Sequence, residues 1–297
     1  MKTGTFDPQQ VYLLGTLSEG ACYRDAITHW ATPDFALTGF DCDTSRFAGM
    51  FIRPSDGRYV FSISASSSND YLAFVPDGDG IEGYPQDPYT NDILLPAVCA
   101  NPRGYFFDPS GGESVYLCYG SAPCAETATA KCAYYYESEE EYAVPAGHYL
   151  VRLGFDGYAL LGSRTGTTST ESWTVLTPDS ELVPASQTFE AAAMRAHPEG
   201  FWLLRSSPPG LQRWNLGFDG SVVLDGAYPD PPLTSAYAGG CAFEGGGAVV
   251  CMGRSTDVTF EDHILRAELD ADEAEVVYTE ASDPLVKIHG SSLVTGP

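Results

Sequence analysis

The sequence predicts an all-β fold, a six-bladed β-propeller of four-stranded antiparallel blades whose ring is closed by the N- and C-terminal halves of one blade. Three observations predict it. Six turn motifs recur at intervals of 43–55 residues, each between strand-like runs. A second set of six turns falls between them, and each unit then ends on a proline. The chain also begins with the second half of a unit and ends with the first half of one.

The first set of turns is Ser55-Asp56-Gly57, Ser110-Gly111-Gly112, Phe155-Asp156-Gly157, Pro198-Glu199-Gly200, Gly245-Gly246-Gly247 and His289-Gly290-Ser291. Gly and Asp supply the positive φ of a tight hairpin. The second set is Ser18-Glu19-Gly20, Asp77-Gly78-Asp79-Gly80, Ser138-Glu139-Glu140, Pro178-Asp179-Ser180, Phe218-Asp219-Gly220 and Asp270-Ala271-Asp272. The closing prolines are Pro33, Pro88, Pro145, Pro184, Pro229 and Pro284. A proline cannot donate to a ladder, so it belongs where an outer strand stops. Each unit of about 45 residues reads as strand, turn, strand, loop, strand, turn, strand, which is one propeller blade. The terminal halves are Val11 to Pro33 and Val286 to Thr295. Residues 1–8 are expected to be a disordered N-terminal tail, and residues 9–297 a single propeller domain.

Composition agrees. The 297 residues are 43% hydrophobic and 12% aromatic, enough for a sizeable core, and Gly (31) and Pro (21) are plentiful, as many short strands and turns require. The formal net charge is −25, with only 15 Lys and Arg. Such a field repels phosphate backbones and argues against nucleic-acid binding. No stretch approaches the roughly 18 uninterrupted apolar residues of a membrane-spanning helix.

The start, MKTGTFDPQQ, has no apolar segment of the signal-peptide kind. Eight cysteines nevertheless predict an oxidising compartment, so the expectation is an exported protein, extracellular, periplasmic or on the cell surface, whose signal has been removed. The spacings predict four local bridges: Cys241–Cys251, symmetric about Gly246; Cys124–Cys132; Cys99–Cys118 around the turn at Gly111; and Cys22–Cys42. No CxxC spacing favours a zinc site.

One part of the first set resembles a known family. Phe51-Ile52-Arg53-Pro54-Ser55-Asp56-Gly57-Arg58-Tyr59-Val60-Phe61 is similar to the repeat of TolB-like propellers, and Ile264-Leu265-Arg266-Ala267-Glu268-Leu269-Asp270 to the strand that follows it there. The resemblance implies the architecture, and action through protein contacts; it transfers no functional residue.

The chemistry is less specific. There is no G-x-S-x-G elbow, HExxH motif or P-loop, and the histidines at 29, 148, 197, 263 and 289 assemble no triad. The innermost strand of each blade lines a central channel, and in this reading those strands carry Arg53, Asp108, Arg152, Arg195, His197, Glu244, Lys287 and His289. Basic side chains concentrated against an acidic background suit an anionic ligand such as a carboxylate or sugar acid. The opposing reading is that these residues pair with one another or end in solvent. Asp77, Asp79 and Glu82 offer hard oxygen ligands to a calcium ion, though turn chemistry also accounts for them. Between Gly120 and Gly147, Tyr134-Tyr135-Tyr136 lies beside Glu137, Glu139, Glu140 and Glu141, the composition of a protein or carbohydrate contact or of an ordinary strand.

The sequence thus favours a monomeric binding or scaffold propeller, non-enzymatic, acting through a protein partner or a small anionic or sugar ligand. The alternatives are a lactonase-like hydrolase or lyase with a metal ion in the channel, and a carbohydrate-binding lectin.

Overall fold

The computed structural model describes residues 11–19, 22–31, 34–41, 47–53, 58–64, 69–74, 102–109, 113–119, 131–135, 138, 141–164, 171–207, 210–229, 233–255, 262–279 and 286–295. Side-chain detail is drawn from positions between Asp108 and Val277. The described residues are strands joined by turns, with a single 3₁₀ turn at Phe155–Gly157.

Six antiparallel sheets follow one another along the chain. The N-terminal strands are β1 (Val11–Glu19), β2 (Cys22–Ala31) and β3 (Asp34–Asp41). A three-stranded sheet follows, β4 (Phe47–Arg53), β5 (Arg58–Ser64) and β6 (Asn69–Phe74). The next has four strands, β7 (Pro102–Asp108), β8 (Glu113–Tyr119), β9 (Lys131–Tyr135) and β10 (Glu141–Val144). So have β11 (Tyr149–Leu153), β12 (Ala159–Arg164), β13 (Glu171–Leu176) and β14 (Leu182–Pro184), and β15 (Ala193–His197), β16 (Gly200–Ser207), β17 (Gly210–Gly217) and β18 (Val222–Tyr228). The last full set is β19 (Leu233–Phe243), β20 (Val249–Ser255), β21 (Asp262–Ala267) and β22 (Glu275–Thr279), followed by β23 (Val286–Thr295).

The turn residues behave as their chemistry requires. Asp156, Ser180 and Asp270 adopt positive φ of 55°, 66° and 56°, and Gly157, Gly220 and Gly247 adopt 79°, 79° and 90°. At Gly220 the requirement is twofold, because a Cβ there would also meet the Pro184 carbonyl oxygen at 2.6 Å.

The sheets pack face to face, and this is visible in where adjacent residues of one strand go. Leu160 and Leu161 are neighbours on β12, point to opposite faces, and are both fully buried. Leu161 joins Val115, Ala133 and Val144 of the preceding sheet; Leu160 joins Phe201, Leu203 and Leu216 of the following one. On β16 the pattern repeats, with Leu203 facing back and Leu204 facing forward onto Phe243, Val249 and Ala267. Strands buried on both faces read as continuous apolar runs, as Ala159-Leu160-Leu161 and Phe201-Trp202-Leu203-Leu204 do. Trp173 is sealed within the middle core, and its indole Nε1–H donates to the Phe189 carbonyl at 3.0 Å.

From β7 onward, the first strand of one sheet borders the first strand of the next. Such contacts run from β7 to β11, β15, β19 and β23 in turn. Several of these strands are irregular where they pair with their second strand. The register shifts between Phe47 and Gly49 in β4, Pro102 and Gly104 in β7, Leu150 and Arg152 in β11, and Ala236 and Cys241 in β19. Such bulges re-aim the side chains that follow them.

Two expectations are corrected. His289-Gly290-Ser291 is no hairpin; it lies inside β23, where the pairing with β1 slips between Leu14–Ser292 and Thr16–Lys287. The shared terminal sheet, ordered β23-β1-β2-β3, therefore takes one strand from the C-terminal end and three from the N-terminal end, rather than two from each. The pairing of β3 with β2, from Ala31–Asp34 to Asp25–Asp41, supplies the extra N-terminal strand that the proline rule had placed outside the unit.

A candidate anion site on the inner strands

Arg152, Arg195 and Glu244 lie within electrostatic reach of one another near the ends of their first strands, and His197 ends β15. Alternation and the bulge at Val151 deliver Arg152 from β11; β15 delivers Arg195 and His197; Glu244 follows the last residue of β19.

Arg195 crosses between sheets. Its Nη1 donates to the Phe243 carbonyl at the end of β19, 3.0 Å away. Burial, then the positive charge of Arg152, lower its pKa to about 10, against a smaller opposing pull from Glu244. Burial likewise lowers the pKa of Arg152. The Nε of Arg152 is closed off from solvent and has no hydrogen-bond partner. A guanidinium presents its donors in a rigid planar fork that matches a carboxylate. Arg152 thus holds an unused donor beside a second cation.

Glu244 does not neutralise the pair, because it is engaged elsewhere. Its Oε2 accepts from Arg266 Nε at 2.8 Å, and Arg266 also pairs with Glu268. Burial raises the carboxyl pKa of Glu244, and Arg266 opposes that rise.

His197 is committed to structure. The Glu199 N–H donates to its Nδ1 at 3.3 Å, which leaves Nε2 to donate to Asn215 Oδ1 at 2.9 Å. Its ring stacks on Trp202 at 5.0 Å, and Arg213 covers the same indole at 4.6 Å. The Gly247 carbonyl accepts from Arg213 Nη1 at 3.2 Å and from the Tyr228 hydroxyl at 2.6 Å, tying the two sheets together. Burial pushes the Tyr228 pKa up to about 12.

Other expected site residues sit as follows. Asp108 ends β7, is half-buried and has a partner. Arg53 ends β4, and Lys287 and His289 lie on β23; these are first strands, but their side chains lie outside the described residues. Asp77, Asp79 and Glu82 also lie outside them, and among the described residues no three metal-ligating side chains converge. Cys241 and Cys251 form the expected disulfide, with Cα atoms 4.1 Å apart, inside the core between two sheets. Cys42, Cys99 and Cys124 lie outside the described residues. Sequence reasoning missed Arg266 and Glu268. Their alternation with the buried Leu265 and Ala267 places them on one face of β21 and its extension, but nothing in the sequence shows that this face meets Glu244.

No family model matches the chain, and no curated protein matches it. Solved structures do. TolB from Acinetobacter baumannii aligns with a TM-score of 0.51 and 11% identity over 92% of this chain and 67% of that one. A putative TolB from Agrobacterium tumefaciens aligns with a TM-score of 0.50 and 11% identity, over 91% and 88% respectively. The β-propeller domain of the Trilobed protease from Pyrococcus furiosus aligns over 91% of this chain and 96% of that one, with 12% identity and a TM-score of 0.39. The chain has a β-propeller fold. At these identities the likeness concerns the fold alone. No helix among the described residues is long and apolar enough to cross a membrane.

Proposed function

We propose that this chain is an exported binding propeller of six blades, closed through the sheet that β23 shares with β1, and that it takes a small anionic ligand at Arg152 and Arg195. The observation that carries the reading is the closed-off, partnerless Nε of Arg152 beside a second buried guanidinium. A buried donor left unbonded is costly, and a carboxylate at the Arg152 fork offsets that cost with charge-assisted hydrogen bonds. The site is pre-organised, because Arg195 is already fixed to the Phe243 carbonyl and Glu244 to Arg266. Carboxylates and sugar acids fit this chemistry; a neutral sugar has no charge to return. The disulfide supports an oxidising compartment.

The test is the melting midpoint of the non-reduced protein in citrate, galacturonate, acetate or neutral galactose at constant ionic strength. A ligand that prefers the folded state raises the midpoint with its concentration. Citrate and galacturonate are expected to raise it, galactose to leave it unchanged, and Arg152→Met to abolish the rise. Equal shifts in wild type and Arg152→Met, or no shift with any anion, would refute the reading.

A further inference from the structure

β8 and β9, the second and third strands of their sheet, run antiparallel in unbroken register: Val115 opposite Tyr135, Tyr116 opposite Tyr134, Leu117 opposite Ala133, and Cys118 directly opposite Cys132. We propose that Cys118 and Cys132 form a disulfide that closes the segment between these strands, in place of the Cys99–Cys118 and Cys124–Cys132 bridges that spacing alone predicts.

Three points support the pair. Directly opposed residues on antiparallel strands have Cα atoms about 4.5 or 5.5 Å apart, and disulfides span about 4.4–6.8 Å, so either kind of opposed position meets the backbone requirement. The same register relation already gives a bond in this molecule, since Cys241 is opposite Cys251 on β19 and β20 and those two are joined. The register is also held firmly. Val115 and Ala133, three residues from Cys118 and one from Cys132, are fully buried in the core shared with Leu150 and Leu161. A slip of either strand by one residue would turn its buried residue outward, so the cysteines are kept opposite each other.

Four cysteines allow three connectivities. Only the proposed one joins residues that the ladder holds in opposition; it leaves Cys99 and Cys124 for each other. The reaction is ordinary oxidation. Each thiol loses a proton, the S–S bond forms, and two electrons pass to the disulfide of a thiol–disulfide oxidoreductase, which is reduced to its dithiol. The bond encloses residues 119–131 and restricts the unfolded chain there.

Peptide mapping of the alkylated, non-reduced wild-type protein decides it. Chymotrypsin with a Glu-specific protease separates all four cysteines, because Glu113, Tyr119 and Glu126 lie between them. The expected product is a linked pair containing Cys118 and Cys132 that disappears on reduction. Linked pairs Cys99–Cys118 and Cys124–Cys132, or alkylated thiols at Cys118 and Cys132, would overturn the proposal. As a second measurement, Cys118→Ser is expected to expose one alkylatable thiol, at Cys132; a new thiol at Cys99 would contradict it.

Discussion

Arg152→Met should make the ligand-free protein more stable. Methionine keeps most of the volume of the arginine stem and removes its charge. Two contributions are recovered. The Nε of Arg152 no longer has to be closed off without a partner, and leaving a buried donor unsatisfied costs about 1–3 kcal/mol, more on a charged group. Arg195 is relieved as well. Its pKa is lowered to about 10, which corresponds to about 3 kcal/mol against the charged form. Burial is the larger cause, so removing the Arg152 charge returns only the smaller part of that. Against these gains stand the lost contacts of the guanidinium plane. A net stabilisation of about 1–3 kcal/mol follows, within the range seen when buried ions are replaced by apolar residues. Urea unfolding of the non-reduced protein in anion-free buffer measures it directly. Arg152→Lys, which keeps the charge, should show no such gain. The gain should also be flat between pH 6 and 9. A lowered arginine pKa imposes its full penalty below about 10 and releases it only as the pH rises beyond that. If Arg152→Met lost 1 kcal/mol or more while Arg152→Lys was neutral, Arg152 would be satisfied within the fold and the anion-site reasoning would fail.

Gly220→Ala should destabilise by about 2–4 kcal/mol, because alanine at φ 79° is strained and its Cβ meets the Pro184 carbonyl. Gly246→Ala, in an equally glycine-rich turn but with open space around the new Cβ, should change the urea midpoint little. Glu244→Gln tests the buried carboxyl. Its raised pKa means that ionisation opposes folding, so its contribution is lost as pH rises from 4.5 through the raised value. The melting midpoint of Glu244→Gln relative to wild type should therefore be more favourable at pH 7 than at pH 4.5.

The strand pattern was legible because its causes are local. Turn residues needing positive φ, such as Asp156-Gly157 and Phe218-Asp219-Gly220, announce themselves by residue type, and apolar doublets such as Leu160-Leu161 and Leu203-Leu204 reveal strands covered on both faces. His289-Gly290-Ser291 carried the same turn signal and misled, because pairing with β1 across the chain ends overrode it. Inner-strand position pointed to Arg152, Arg195 and Glu244, which the structure brings within electrostatic reach of one another. It could not show that His197 is tied to Asn215, or that Arg266 claims Glu244, since those contacts join residues 18 and 22 apart. Cysteine spacing worked for Cys241–Cys251, which flank a hairpin, but ladder register is a property of strand pairing and placed Cys118 opposite Cys132.

The central claim is that the Arg152 Nε–H is an unused donor awaiting an anion. Nitrogen-15 arginine labelling makes each Nε–H a separate signal, and Arg152→Met assigns the one in question. On titration with citrate at constant ionic strength, the account predicts that this signal shifts downfield with saturation, and that the Arg266 signal, already bonded to Glu244, stays in place. An Arg152 signal that does not move at citrate concentrations that raise the melting midpoint would contradict the account.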